Sequence, residues 1–214
     1  MTHTYVNSEG DTLVEHFTYK LNTNKITQCI TERQGLLIAG YQLSYDDANR
    51  VTKKSVAQVD PTNLVSIDND IQWETIEEYR YDQKINKLVE VLDKRSNITT
   101  TYLWAYRGLY PIAEVVNATL SEIESKIGSS KIEELQGSYA PDMSTVNHLR
   151  NLLPMANINT MTYEPLIGIS SFTDSKGYTQ CYEYDDFKRV KTIYEMANDT
   201  MSVVKCFDYQ LNKD

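Results

Sequence analysis

The chain has 214 residues, a formal net charge of −9, and 16 tyrosines against 4 phenylalanines. An excess of 30 acidic over 21 basic residues opposes a phosphate backbone, whose binding runs on counterion release, and this excludes nucleic acid as a partner class. No apolar run reaches the length of a membrane span, and the first residues lack the basic and apolar regions of a secretion signal, so neither membrane insertion nor export of this polypeptide is expected.

In chain order, Leu13, Phe17, Tyr19 and Leu21 fall on one face of a strand with period two. The pattern returns at Tyr41, Leu43 and Tyr45, and again at Trp73, Tyr79 and Tyr81. Asp46 and Asp82 directly follow a strand tyrosine, where a carboxylate can accept backbone N–H groups of a turn. Asn24, Asn49 and Asn86 stand where such turns often need left-handed backbone. Between these units, the polar stretch 60–69 reads as a long loop. The opposite ends carry turn signals at Asp93 to Asn97, Asp174 to Gly177 and Asn198 to Thr200.

Tyr102, Trp104 and Tyr106 are expected to share a strand face, with Tyr110 close behind. Beyond them, Thr119 with Glu122 and Ser130 with Glu133 have capping-box spacing, and Asp142 precedes a stripe of Met143, Val146, Leu149 and Leu153 ended by Pro154. A helical insert over 117–155 therefore separates hairpins over 1–116 from hairpins over 156–214, the whole forming one compact domain. In the last portion, Tyr178, Tyr182 and Tyr184 alternate before Asp185 and Arg189.

Four stretches repeat one another: Phe17 to Ile26, Tyr41 to Val51, Tyr79 to Leu88 and Tyr182 to Val190. Each runs from an aromatic strand through a polar turn to a basic residue followed by Ile, Val or Leu: Lys25–Ile26, Arg50–Val51, Lys87–Leu88 and Arg189–Val190. The run Tyr182-Glu183-Tyr184-Asp185-Asp186-Phe187-Lys188-Arg189-Val190, preceded by Thr173 to Gly177, resembles the YD repeat of Rhs-type proteins. Glu78 to Asp82 makes a second good copy, and Tyr45 with Asp46 and Arg50 a weaker one. The segments at 102–119, 140–154 and 162–174 are similar to C-terminal parts of long, surface-associated YD-repeat proteins of Bacteroidetes-type bacteria.

The resemblance implies a mainly β fold, an antiparallel meander of YD-repeat hairpins. With about four units, too few to wind into a closed shell, an open curled sheet with a small helical insert is expected. It also implies secretion or surface display for the long relatives. Asn49, Asn86 and Lys188 stand where the repeat usually has glycine before its arginine, a departure that bears on the turn conformation.

No catalytic set emerges. His3, His16 and His148 lie far apart with no second ligand type at metal spacing, so no metal or other cofactor is expected. Asp68, Asn69 and Asp70 open like a calcium loop but lack the glycine and closing glutamate at the required places. Gly168-Ile169-Ser170 begins like a nucleophile elbow and lacks the closing glycine. Asp60 to Leu64 faintly resembles the cleavage signature of toxin-bearing Rhs proteins without its glycine. Cys29, Cys181 and Cys206 form no CxxC pair, although Cys181 and Cys206 flank one hairpin and could face each other.

The expected function is a non-catalytic structural or interaction module. Its motif residues are Tyr45, Asp46, Arg50, Tyr79, Tyr81, Asp82, Tyr182, Tyr184, Asp185 and Arg189. Its partners would be other repeat segments or surface proteins, with oligomers possible through open sheet edges. The alternatives are a carbohydrate-binding module that stacks glycans on Tyr102, Trp104, Tyr106 and Tyr110, and the remnant of a toxin-carrying Rhs protein.

Overall fold

The computed structural model describes residues 1–6, 12–197 and 200–209. Alternating aromatic and polar residues build the strands, and polar turns reverse them. The first are β1 (Thr2–Val6), β2 (Thr12–Tyr19), β3 (Ile26–Arg33), β4 (Leu36–Tyr45) and β5 (Val51–Ala57). They continue with β6 (Trp73–Asp82), β7 (Lys87–Asp93), β8 (Ile98–Ala105) and β9 (Tyr110–Val116). Three helices follow, α1 (Leu120–Ile127), α2 (Ser129–Gly137) and α3 (Met143–Leu152). The chain then returns to strands as β10 (Asn157–Glu164), β11 (Gly168–Thr173), β12 (Thr179–Tyr184), β13 (Val190–Ala197) and β14 (Thr200–Cys206).

These strands form an antiparallel meander, a 14-stranded sheet ordered as the strands occur in the chain and not closed into a barrel. Two compact units divide the chain: Met1–Arg80 with Val91–Ile98, and Tyr81–Glu90 with Thr99–Asp214.

In the first unit the sheet carries little fully buried apolar surface, with Cys29 and Leu37 as its deepest side chains. The loop after β5 is tied back to the β3–β4 turn. Leu37 donates its N–H to Val65 O at 2.8 Å, and Ile67 donates to Gly35 O at 3.1 Å.

The second unit holds the main core, because its helices cover one face of β8, β9 and β10. Register places Thr101 beside Val115 and Val115 beside Ile158, then Leu103 beside Ala113 and Ala113 beside Thr160. All six are essentially buried, and Ile123, Ile132, Leu135, Val146 and Leu149 from the helices close over them. The two threonines in these rows are satisfied inside the core. Thr101 donates to Ala118 O at 2.7 Å, and Thr160 donates to Asn147 Oδ1 at 2.9 Å.

Capping decides where the helices begin. Thr119 and Glu122 complete a reciprocal capping box, and Asp142 accepts from Ser144 N–H at the start of α3. Ser130 and Glu133 do not form the expected box. Gly128, at φ 86°, ends α1 and starts α2 without a side-chain cap, so Ser130 already lies inside the helix.

Several local expectations need correction. Asn22, not Asn24, takes the left-handed conformation in the first unit's turn, while Asn49, Asn86 and Lys188 adopt positive φ of 60°, 56° and 62° without being glycine. Leu21 and Tyr178 lie outside the strands, both well exposed. Cys181 sits on β12 and Cys206 on β14, with β13 between them, so the two thiols are free and do not face each other. The turn signal at Asn198 and Asp199 lies outside the described residues.

One irregularity recurs through the sheet. The strand ladder slips immediately before Tyr19, Tyr45, Trp104, Tyr163, Tyr184 and Tyr194. A bulge inserts one residue into one of two paired strands and bends the strand that carries it. The extra residue falls on the partner strand each time, at Thr27, Thr52, Ile112, Ser170, Lys191 and Val204, so period two is kept on the strand that carries the aromatic, and Tyr182 and Tyr184 share a face as expected.

Candidate functional site

The repeat motif builds two devices. The first is a clasp across the turn. Asp185 accepts from the backbone N–H groups of Phe187 and Arg189, both at 2.9 Å, through Oδ1, and from Arg189 Nε at 2.8 Å through Oδ2. The backbone closes the same loop, Asp185 donating to Arg189 O and Lys188 donating to Asp185 O, both at 2.8 Å. Asp46 and Arg50 repeat the pattern, with the Arg50 N–H 2.8 Å from Oδ1 and Nε 2.7 Å from Oδ2. The Arg50 and Arg189 backbone N–H groups, followed by their guanidinium groups, hold both carboxyls below the usual aspartate range.

Asp82 keeps the clasp without an arginine. It accepts from Lys84 N–H at 2.7 Å and Ile85 N–H at 3.1 Å, and Gln136 of α2 supplies the side-chain donor at 3.1 Å. Tyr79, on the same strand, bonds to Glu77.

The second device joins an aromatic ring to the neighbouring strand. Tyr45 donates its hydroxyl to Ile26 O at 2.7 Å, with Lys25 Nζ 5.7 Å from its ring centroid. Tyr209 donates to Val190 O at 2.9 Å, with the Arg189 guanidinium 4.1 Å from its ring. Trp104 does the same with its indole N–H, donating to Leu88 O at 2.8 Å beneath Lys87 Nζ at 5.3 Å. A basic residue caps the ring and the next residue's carbonyl accepts the ring's polar hydrogen. Tyr184 keeps the hydrogen bond, to Ile169 O at 2.8 Å, but Gly168 stands where the cation would be.

The aromatic set Tyr102, Trp104, Tyr106 and Tyr110 is thus drawn into different tasks. Tyr102 is half-buried opposite Glu114; burial, then that carboxylate, raises its pKa. Tyr106 does not share the face of Tyr102 and Trp104, because β8 ends at Ala105 and Tyr106 turns to φ 53°. Its side chain is 5% exposed, and its hydroxyl lies 3.1 Å from Tyr163 N and 3.3 Å from Tyr163 O. Tyr110 stacks on Tyr163 at 4.6 Å, and its hydroxyl accepts from Leu166 N–H at 3.2 Å. The trio of Tyr106, Tyr110 and Tyr163 pins the β8–β9 turn to the β10–β11 hairpin.

Arg150 anchors α3 to the sheet. Its Nη2 lies 3.0 Å from Ile158 O, 3.2 Å from Thr160 Oγ1, 3.3 Å from Thr173 O and 3.2 Å from Asp174 O, and Nη1 donates to Asn147 at 2.7 Å. Sequence reasoning missed Arg150, Tyr163, Gly168 and Tyr209. For Tyr209 a signal existed, since Ile26 to Tyr45 and Val190 to Tyr209 are both 19 residues apart. Among the described residues, no group of three or more His, Cys, Asp or Glu is placed to hold a metal ion.

No family model and no curated protein matches the sequence. Among solved structures the chain is similar to a crystal structure of TcdB2-TccC3-Cdc42, at 12% identity and TM-score 0.48, over 96% of this chain and 12% of that one. It is also similar to TcdB2-TccC3 without its hypervariable C-terminal region, at 14% identity and TM-score 0.45 over 96% and 12% of the two chains. The Photorhabdus luminescens Tc holotoxin pore with a mutated TccC3 gives 14% identity and TM-score 0.44 over 95% and 11%. The chain spans about an eighth of the length of these structures.

Proposed function

We propose that the chain is a non-catalytic structural and interaction module, a run of YD-type hairpins that acts as scaffold within a longer, surface-displayed repeat protein and meets its neighbours through sheet edges. The observation that carries this reading is the reuse of one device, ring hydrogen to carbonyl beside a basic cap, at Tyr45, Trp104 and Tyr209. Residues that would otherwise be reactive or adhesive are engaged in holding adjacent strands together. The outer strands suit edge pairing: β14 exposes Met201, Val203 and Val204.

Trp104, the aromatic best suited to stacking on a sugar, has its N–H bonded internally, which favours the scaffold over the carbohydrate reading. Glycan-array screening of wild type and Trp104→Phe tests the choice. The scaffold reading expects blank arrays from both and a lower thermal midpoint for the variant. Saccharide binding by wild type that the variant loses at an unchanged midpoint would transfer the function to glycan recognition.

A further inference from the structure

We propose that the outer side of the helical insert is a docking site for a segment of a partner polypeptide that seats a glutamate or aspartate in one cavity and an aliphatic side chain in the next. The first cavity measures about 720 Å³. Lys126 of α1, Lys131 of α2 and His148 of α3 line it, with Ser144, Thr145 and the aliphatic Ile127 and Leu152. The second, about 320 Å³, shares Lys126 and Leu152 as its border and is walled by Ala118, Leu153, Pro154, Met155 and Ala156.

Charge selects the occupant of the first cavity. The chain carries 30 acidic residues against 21 basic ones, yet two ammonium groups and an imidazole line this cavity and no carboxylate does. The carboxylates beside these cations are committed to helix starts. Glu122, one turn before Lys126, accepts from Thr119 N–H at 2.7 Å and from its hydroxyl at 2.8 Å. Asp142, 3.6 Å from Lys131, accepts the hydroxyls of Ser144 and Thr145 at 2.6 Å and 2.8 Å. Lys131 also pairs with Glu134 at 2.8 Å, but that glutamate is 65% exposed, a pair that water screens and a bound carboxylate displaces at little cost. The Nδ1 atom of His148 faces the Asn151 amide nitrogen at 3.5 Å, so the neutral ring carries its hydrogen on Nε2. Lys126, Lys131 and His148 are thus the donors left for an incoming carboxylate.

The partner is a polypeptide because the two cavities adjoin and differ in chemistry, and a single segment offers both side chains at once. An isolated anion would leave the second cavity unused, along with Met155, which is 82% exposed at its wall. The helices pack on the sheet through Ile123, Ile132, Leu135, Val146 and Leu149, so their outer side is surplus to the scaffold and the site goes beyond that reading.

The test is calorimetric titration of the full chain with blocked, extended peptides carrying one glutamate and one leucine at stepped separations, with their glutamine counterparts, and with glutarate. We expect saturable binding at a preferred separation, weakened by about tenfold or more in the glutamine counterpart and in the Lys126→Met/His148→Gln variant. Met155→Ser should weaken the same peptide. Lys176→Met, in the β11–β12 turn, should bind as wild type does. Lys126, His148, Met155 and Lys176 are all exposed, and equal thermal midpoints would establish that the variants are folded. Absence of saturable binding across the series, or an equal loss in Lys176→Met, would overturn the site. Equal affinity for the glutamine counterpart would overturn the carboxylate, and glutarate binding as tightly as the best peptide would overturn the polypeptide partner. None of these outcomes bears on the scaffold reading, which needs no ligand on the insert.

Discussion

Gly168 and Tyr184 are in direct contact across the β11–β12 pair: a Cβ on Gly168 would lie 2.8 Å from Tyr184 Cζ and overlap its hydroxyl. The glycine makes room for the ring that donates to Ile169 O. Gly168→Ala must therefore displace the ring or bend the strand, an overpacking cost of about 1–3 kcal/mol. Chemical denaturation measures it. Unchanged stability would mean that the tyrosine moves aside freely.

Trp104 tests the second device from both sides. Trp104→Phe keeps an aromatic ring but removes the N–H bonded to Leu88 O, with an expected loss of about 1 kcal/mol, more if that carbonyl stays unsatisfied. Lys87→Met removes the cation above the ring and should cost about 0.5–1 kcal/mol. Since both changes act on one contact, the double variant should lose less than the sum of the two. Strict additivity in urea unfolding would show that the cap and the hydrogen bond are independent.

Arg150 should matter more than its place on a helix surface suggests. Arg150→Met leaves the carbonyls of Ile158, Thr173 and Asp174 without this donor, while preserving most of the side-chain volume. The expected loss is about 2–3 kcal/mol. Hydrogen exchange should show faster opening of α3 than of β9. Exchange rising equally across both elements would instead indicate global destabilisation without a local anchor.

The turn and cap carboxylates set the behaviour in acid. Hydrogen bonds from the hydroxyls of Ser144 and Thr145 lower Asp142 from its ordinary 3.8 to about 2. The folded chain thus binds fewer protons than the unfolded chain in this range. The stability Asp142 contributes is fully present above about pH 4 and is lost as pH falls towards 2. Asp46 and Asp185 are shifted the same way and add to the same loss. Asp142→Ser retains a cap without a titrating group, so α3 hydrogen exchange should become less dependent on pH between 4 and 2. An unchanged slope would remove Asp142 from the explanation.

Much of the fold was legible because hydrophobic alternation and turn chemistry are local signals. Tyr184-Asp185 followed by Arg189 announces a strand, a turn and a returning strand, and the Thr119–Glu122 box marks a helix start. Ser130 with Glu133 had the same spacing and misled, because Gly128 joins α1 to α2 with no room for a separate cap. The bulges were not legible, since a slipped register depends on the partner strand and not on the residues that slip. Nor does alternation show that β8 ends at Ala105, which is why Tyr106, at φ 53°, leaves the strand face it was expected to share. Gly168 gave no signal alone, because its meaning lies in the ring packed against it.

The claim on which everything else rests is that the repeat tyrosines work as interstrand connectors, and removing single hydroxyls tests it most directly. Equilibrium unfolding of Tyr45→Phe and Tyr184→Phe should each show a loss of about 1 kcal/mol. Tyr178→Phe, at a ring 57% exposed, should show almost none. Losses at Tyr45 and Tyr184 no larger than at Tyr178 would contradict the claim.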